Sequence, residues 1–137
     1  MTQKGTGIKV LLSRSLLDCH QRGLVAVAAA LRDAGMEVIY TRYYEIQEVV
    51  KTALEEDVDV IGLSFMSWGQ MHFTPQLMQQ LKENGMGDVL VIIGGIIRKD
   101  QVPALEEMGV SRVFGAGSST TDIIEYIVSQ KGETKVA

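Results

Sequence analysis

The sequence predicts an α/β fold, a doubly wound five-stranded parallel sheet of the flavodoxin-like, Rossmann-like kind with strand order 2-1-3-4-5. Three observations carry that expectation. Short runs of Val, Ile and Leu alternate along the chain with segments of helical period. The runs are nearly continuous in apolar residues, as strands covered on both faces by helices must be. Glycines fall where a helix hands over to the next strand.

Taken in order, strand one is IKVLLS at residues 8–13, followed by a helix carried by Leu24, Val27, Ala28 and Leu31. That spacing lays one apolar stripe along one side of the helix. Gly35 stops it, because a residue without a β-carbon can take the left-handed conformation that satisfies the last helical carbonyls. Strand two is EVIYT at 37–41, followed by a helix on Ile46, Val49, Val50, Ala53 and Leu54. Strand three is VDVIGLS at 58–64; its helix rests on Leu77, Met78 and Leu81 and stops at Gly85. Strand four is DVLVII at 88–93. A shorter helix at 100–108, around Val102 and Leu105, tolerates Pro103 only in its first turn and ends at Gly109. Strand five is SRVFG at 111–115, and the last helix, on Ile123, Ile124, Ile127 and Val128, opens on a capping box of Ser119 and Asp122. The expectation is one domain over residues 1–137, with its core at about 8–130 and a polar tail after Gln130.

Composition narrows the function. A net charge of -4, with no run of Lys and Arg, argues against a nucleic-acid partner. No stretch approaches the ~20 apolar residues of a membrane span, and the polar start MTQKGTG lacks the apolar segment of a secretory signal. No membrane partner and a cytoplasmic location are therefore expected. The single cysteine, Cys19, cannot form an internal disulfide, in keeping with a reducing compartment.

In sheets of this kind the ligand lies beyond the carboxyl ends of the strands, at the switch point between the first and third. The unusual residues of this sequence gather there. DCHQRG follows strand one, SFMSWGQMH follows strand three, Gly94 and Gly95 end strand four, and GAGSS at 115–119 ends strand five. The glycines, Gly115 and Gly117 included, suit a close backbone approach to an anion. Yet the first loop has neither the G-x-G-x-x-G nor the G-x-x-x-x-G-K-[ST] pattern, so dinucleotide and P-loop readings are poorly supported. A phospho-receiver would want an Asp after strand three, where Ser64 stands.

The first loop holds one of only two histidines, His20, two residues after Asp18 and three before Gly23. A carboxylate that accepts a hydrogen bond from one ring nitrogen fixes the tautomer and leaves the other nitrogen for a metal. Asp18 capping the helix, with His20 solvated in its first turn, serves the same pattern. One histidine does not make a zinc site, which takes three or four protein ligands. Any metal here must bring its other ligands with it.

DCHQRG, the Ser64-Phe65-Met66 loop and the Gly94-Gly95 pair together resemble the D-x-H-x-x-G, S-x-L and GG signature of cobalamin-binding domains, in order and at the matching loops. The similarity spans about residues 8–128 and looks closest to the cobalamin domain of acyl-CoA mutases of the methylmalonyl-CoA mutase type, 2-hydroxyisobutyryl-CoA mutase included. The resemblance implies adenosylcobalamin as cofactor, with His20 replacing the cofactor's own dimethylbenzimidazole as lower cobalt ligand and the released nucleotide tail entering a slot in the domain. It implies Asp18 and His20 as the catalytic pair, Asp18 orienting His20 by a hydrogen bond. Gly23 would give the tail clearance, Ser64 would hydrogen-bond the benzimidazole, Met66 would pack in place of the usual Leu, and Gly94, Gly95, Gly115 and Gly117 would let the tail pass close to the backbone.

The sequence also departs from that family. Arg14 stands where Lys is common, Leu16 and Cys19 where Gly is, and Gln21 where Asp is frequent. Arg14 keeps a cation able to pair with Asp18. Trp68 and Gln70 replace small or histidine residues, and Tyr43 and Tyr44 are unusual; such bulky groups are expected to face the corrin or a partner. His72 reads as a surface histidine. The resemblance further implies radical rearrangement of a CoA thioester by a hetero-oligomer, in which a large barrel-type subunit binds the acyl-CoA and this chain is the small subunit. A chain of this length has no room for such a barrel. Asp-Cys-His itself resembles the small subunit of glutamate mutase, so an amino-acid mutase is one alternative. A corrinoid methyl-transfer protein is the other.

Overall fold

The computed structural model describes residues 4–18 and 22–132. Five strands pair in the order β2-β1-β3-β4-β5, every neighbour parallel: β1 (Lys9–Ser15), β2 (Glu37–Tyr43), β3 (Val60–Met66), β4 (Leu90–Ile96) and β5 (Arg112–Phe114). Between them run α1 (Arg22–Asp33), α2 (Ile46–Glu56), α3 (Gln70–Glu83) and α4 (Val102–Glu107), and α5 (Thr120–Ile127) closes the order. A 3-10 turn, Lys99–Gln101, leads into α4, and a π turn, Val128–Gly132, extends α5. The predicted topology is the observed one.

Strand alternation decides which helix lies on which face. Leu11, Ile61, Leu63 and Ile93 point into a core shared with Val49 and Val50 of α2, Leu77 and Leu81 of α3 and Leu105 of α4. Val10, Leu12, Val60 and Ile92 point the other way, onto Leu24, Ala28 and Leu31 of α1 and Ile123 and Ile127 of α5. Right-handed crossovers require such a division, since reversing direction along the sheet at β1 moves the connection to the other face. Helices α1 and α5 therefore share one face, over β1, β3 and β4.

The first four strands extend past the apolar runs at their carboxyl ends, because main-chain pairing continues under polar side chains. Arg14 pairs with Arg42 and Ser64, Ser15 with Tyr43, and Phe65 with Gly95. Ser13 Oγ meets Thr41 Oγ1 at 2.8 Å just before this extension, so the hydroxyl buried there has a partner. Helix α3 starts at Gln70, well before the Leu77 stripe, and holds Pro75. Gly35, Gly85 and Gly109 take φ of 95°, 71° and 112°, the left-handed stops expected of them.

Candidate cofactor-binding site

The loop after β1 is folded back on its own strand. Asp18 N–H donates to the Ser15 carbonyl at 3.1 Å, Leu17 N–H to Ser15 Oγ at 3.1 Å, and Leu16 N–H to the Tyr43 carbonyl at 2.8 Å. Arg14 is buried beneath it, its Nε donating to the Tyr40 hydroxyl at 2.8 Å and its Nη1 to the main-chain carbonyls of Ser15 and Asp18. The guanidinium thus braces the main chain of the loop from below. Asp18 ends this braced stretch only 5% exposed. His20, with Cys19 and Gln21, lies outside the described residues.

Beside this loop a cleft of about 830 Å³ runs between α1, α5 and the sheet. Gly23, Ser64, Met66, Gly94, Gly95, Gly115 and Gly117, the remaining predicted cofactor residues, all line it. Alternation along β3 explains two of them, because Gly62, Ser64 and Met66 turn to the α1 and α5 side while Phe65 enters the opposite core. The walls are largely apolar, with Leu12 and Ile92 at the sheet and Val27 on α1. Phe114 is held in place edge-on to Tyr126 at 5.8 Å, with the Arg112 guanidinium 5.0 Å from its ring centroid.

The two glycines of β4 have different reasons. Gly94 would meet nothing closer than the Phe114 carbonyl oxygen, 3.6 Å away, if it carried a β-carbon, so its bareness leaves the cleft wide. Gly95 has φ of 109°, and a β-carbon there would lie far inside contact distance of the Phe65 carbonyl oxygen. The sheet itself therefore demands glycine at 95. At Gly23 and Gly115 the place of a β-carbon is open, with nothing within 4 Å. A cleft of this volume, with glycines at 62, 94 and 95 along the sheet, apolar walls and the Ser64 hydroxyl, fits a long, flat heterocyclic tail. Ala26, Gly62, Phe114 and Thr120 also line it. The run of small residues on α1 was the available signal for Ala26.

The expectation for Tyr43 is corrected. Its side chain is 1% exposed in the α2 and α3 core, edge-on to Phe73 at 5.1 Å, because odd positions of β2 turn to that face. Among the described residues its hydroxyl has no hydrogen-bond partner. Burial, with a further push from the Asp18 carboxylate, holds its proton well above the ordinary phenol range. Tyr44, in contrast, is 61% exposed and Trp68 45% exposed. With Leu16, Leu17, Met71 and Ile96 they give the carboxyl edge of the sheet an exposed apolar rim. His72 lies on the surface, edge-on to Phe73. Gln70 is buried and donates through Nε2 to Gln101 Oε1 at 2.7 Å, so it too turns inward and away from the rim. Among the described residues no helix is long and apolar enough to cross a membrane.

A flavodoxin-like sheet with a glycine-floored apolar cleft at the carboxyl ends of its strands, in a chain whose sequence carries these motifs, points to a cobalamin-binding domain. The chain belongs to the B12 binding domain family, whose model matches residues 8–125. It is 46% identical over 123 residues to the pivalyl-CoA mutase small subunit of Xanthobacter autotrophicus, a match covering 89% of this chain and 82% of that one. It is 43% identical over 125 residues to the 2-hydroxyisobutanoyl-CoA mutase small subunit of Aquincola tertiaricarbonis, covering 90% of this chain and 92% of that one. Among solved structures, a cobalamin-binding protein from Desulfitobacterium hafniense superposes with a TM-score of 0.77 over 91% of this chain and 59% of that one. At 19% identity that likeness speaks for the fold alone.

Proposed function

We propose that this chain is the cobalamin-holding small subunit of a heteromeric, adenosylcobalamin-dependent acyl-CoA mutase, with His20 as the lower axial ligand of cobalt. The observation that carries the reading is the cleft of about 830 Å³ lined by Gly23, Ser64, Gly94 and Gly95. Near-complete coverage of two acyl-CoA mutase small subunits supports the choice of reaction. Bound adenosylcobalamin supplies a carbon-centred radical source, which permits a group to migrate between neighbouring carbons of a CoA thioester.

The protein's own part is to bind and orient. Asp18, its main chain kept in place by the bracing from Arg14 and Ser15, would accept the ring N–H of His20 and leave the other nitrogen free to ligate. The Ser64 hydroxyl would donate to the benzimidazole, and Leu12, Val27, Ile92 and Phe114, which line the cleft, would keep water from the tail. Gly115 and Gly117 leave the outer wall open to it. The substrate pocket belongs to the partner, a large barrel-type subunit that binds a branched acyl-CoA, and the apolar rim at the carboxyl edge faces the cofactor and that subunit. We place the whole chain, residues 1–137, in this one role, in the cytoplasm.

The test is reconstitution. The purified chain with adenosylcobalamin and the large subunit that co-purifies with it should interconvert a branched acyl-CoA, pivalyl-CoA and 2-hydroxyisobutanoyl-CoA being the first to try, and the small chain alone should not. A co-purifying zinc-dependent methyltransferase, or a complex that isomerises glutamate and no acyl-CoA, would contradict the reading.

A further inference from the structure

Among the described residues the Tyr43 hydroxyl is a donor with no acceptor, although it sits 1% exposed; Gln70 Oε1 and Thr74 Oγ1 of α3 are the other buried side-chain atoms without a partner. A phenylalanine would fill the same space, keep the edge contact with Phe73 and bury no orphaned O–H. Burying that group without a partner is costly enough to ask what it is for.

Its surroundings give the direction. Tyr43 is the register partner of Ser15, the last residue of β1. Asp18 folds back over that same Ser15 through the hydrogen bond from its N–H to the Ser15 carbonyl. The main chain of the loop is tied to Tyr43 itself, because Leu16 N–H donates to the Tyr43 carbonyl at 2.8 Å. The phenol and the buried Asp18 carboxylate are therefore carried by two strand ends locked to each other. They interact electrostatically as well, the carboxylate adding to the hold that burial gives Tyr43 on its proton. A phenol that stays protonated is a donor at every physiological pH.

We propose that Tyr43 is a positioning residue of the cofactor site: its hydroxyl donates to the Asp18 carboxylate when cobalamin is bound, fixing the orientation in which Asp18 steadies His20. This rests on the reading of Asp18 and His20 given above. The hydroxyl acts on cobalt only through those two residues, as outer partners of metal-bound histidines do.

Tyr43→Phe in the full chain tests it, with Asp18→Asn and His20→Ala for comparison. Tyr43→Phe should melt no lower than the parent, since it loses only an unsatisfied hydroxyl. It should nonetheless hold cobalamin roughly tenfold more weakly. Its Co(II) resonance spectrum should show a fraction of cobalt without nitrogen coupling from the protein. In the Asp18→Asn background the same substitution should have little further effect, because both act on one interaction, whereas a packing role would add independently. Parent-like affinity and coupling in Tyr43→Phe, while His20→Ala loses the coupling, would overturn the proposal and leave the ligand assignment standing. Additive losses in the double variant would overturn it as well. Coupling to a protein nitrogen that survives in His20→Ala would remove the ligand assignment and this proposal with it.

Discussion

Gly94 and Gly95 are neighbours in sequence and opposites in cause. Gly95→Ala forces a β-carbon against the Phe65 carbonyl at a positive φ, and should destabilise the fold by about 2–4 kcal/mol in denaturant titration. Gly94→Val has room for its β-carbon in the protein and projects into the cleft. It should unfold close to the parent midpoint while overlap costing about 1–3 kcal/mol weakens cobalamin binding roughly ten- to a hundredfold. Equal loss of stability in both variants would show that Gly94 is a structural glycine too. The sequence exposes both positions as an unusual pair at a strand end, and Ser64 as a polar strand end, but it cannot separate a glycine required by the sheet from one required by a ligand. That distinction depends on the register of β3 against β4, a pairing between distant segments. Tyr43 is hidden for a related reason: two extra residues of pairing at the end of β2 decide that it turns inward.

At the scale of elements, the hydrophobic period is enough to place every helix and strand of the described chain, since each face of this sheet is buried and each helix shows one stripe. Ends are less legible. The main chain of β1 goes on pairing through Ser13, Arg14 and Ser15, where hydropathy has already changed sign. Helix α3 gains its opening turns from Gly69, at φ of 88°, with Phe73 packed beneath, and no apolar stripe announces them. The start of α5 is legible because its signal is local: Ser119 Oγ accepts from Asp122 N–H at 3.1 Å. Ser119→Ala should cost about 1 kcal/mol in denaturant titration. Since α5 forms one wall of the cleft, cobalamin should then bind with little change if the helix re-forms around it. A loss of binding larger than the loss of stability would mean that Ser119 has its own part in holding the tail.

For the molecule as a whole, the loop carrying Asp18, the cleft and the buried phenol all lie around the carboxyl end of the sheet, so that end is where stability and cofactor binding meet. Tyr43 holds its proton more tightly folded than unfolded. Its contribution is therefore fully present below the ordinary phenol pKa of about 10 and is lost as the pH climbs beyond it. Thermal melts from about pH 8 to about pH 11 should fall more steeply above pH 10 for the parent than for Tyr43→Phe. Parallel curves would show that ionisation of this phenol is not coupled to unfolding.

The claim on which the account turns is that a histidine of this chain sits beneath cobalt. With His72 replaced by Gln and the protein grown on histidine labelled with nitrogen-15 in the ring, the Co(II) form of bound cobalamin should change its ligand splitting in electron paramagnetic resonance from a triplet to a doublet. A triplet that persists in the labelled protein would mean that the coordinating nitrogen still belongs to the cofactor, and would contradict the assignment of His20.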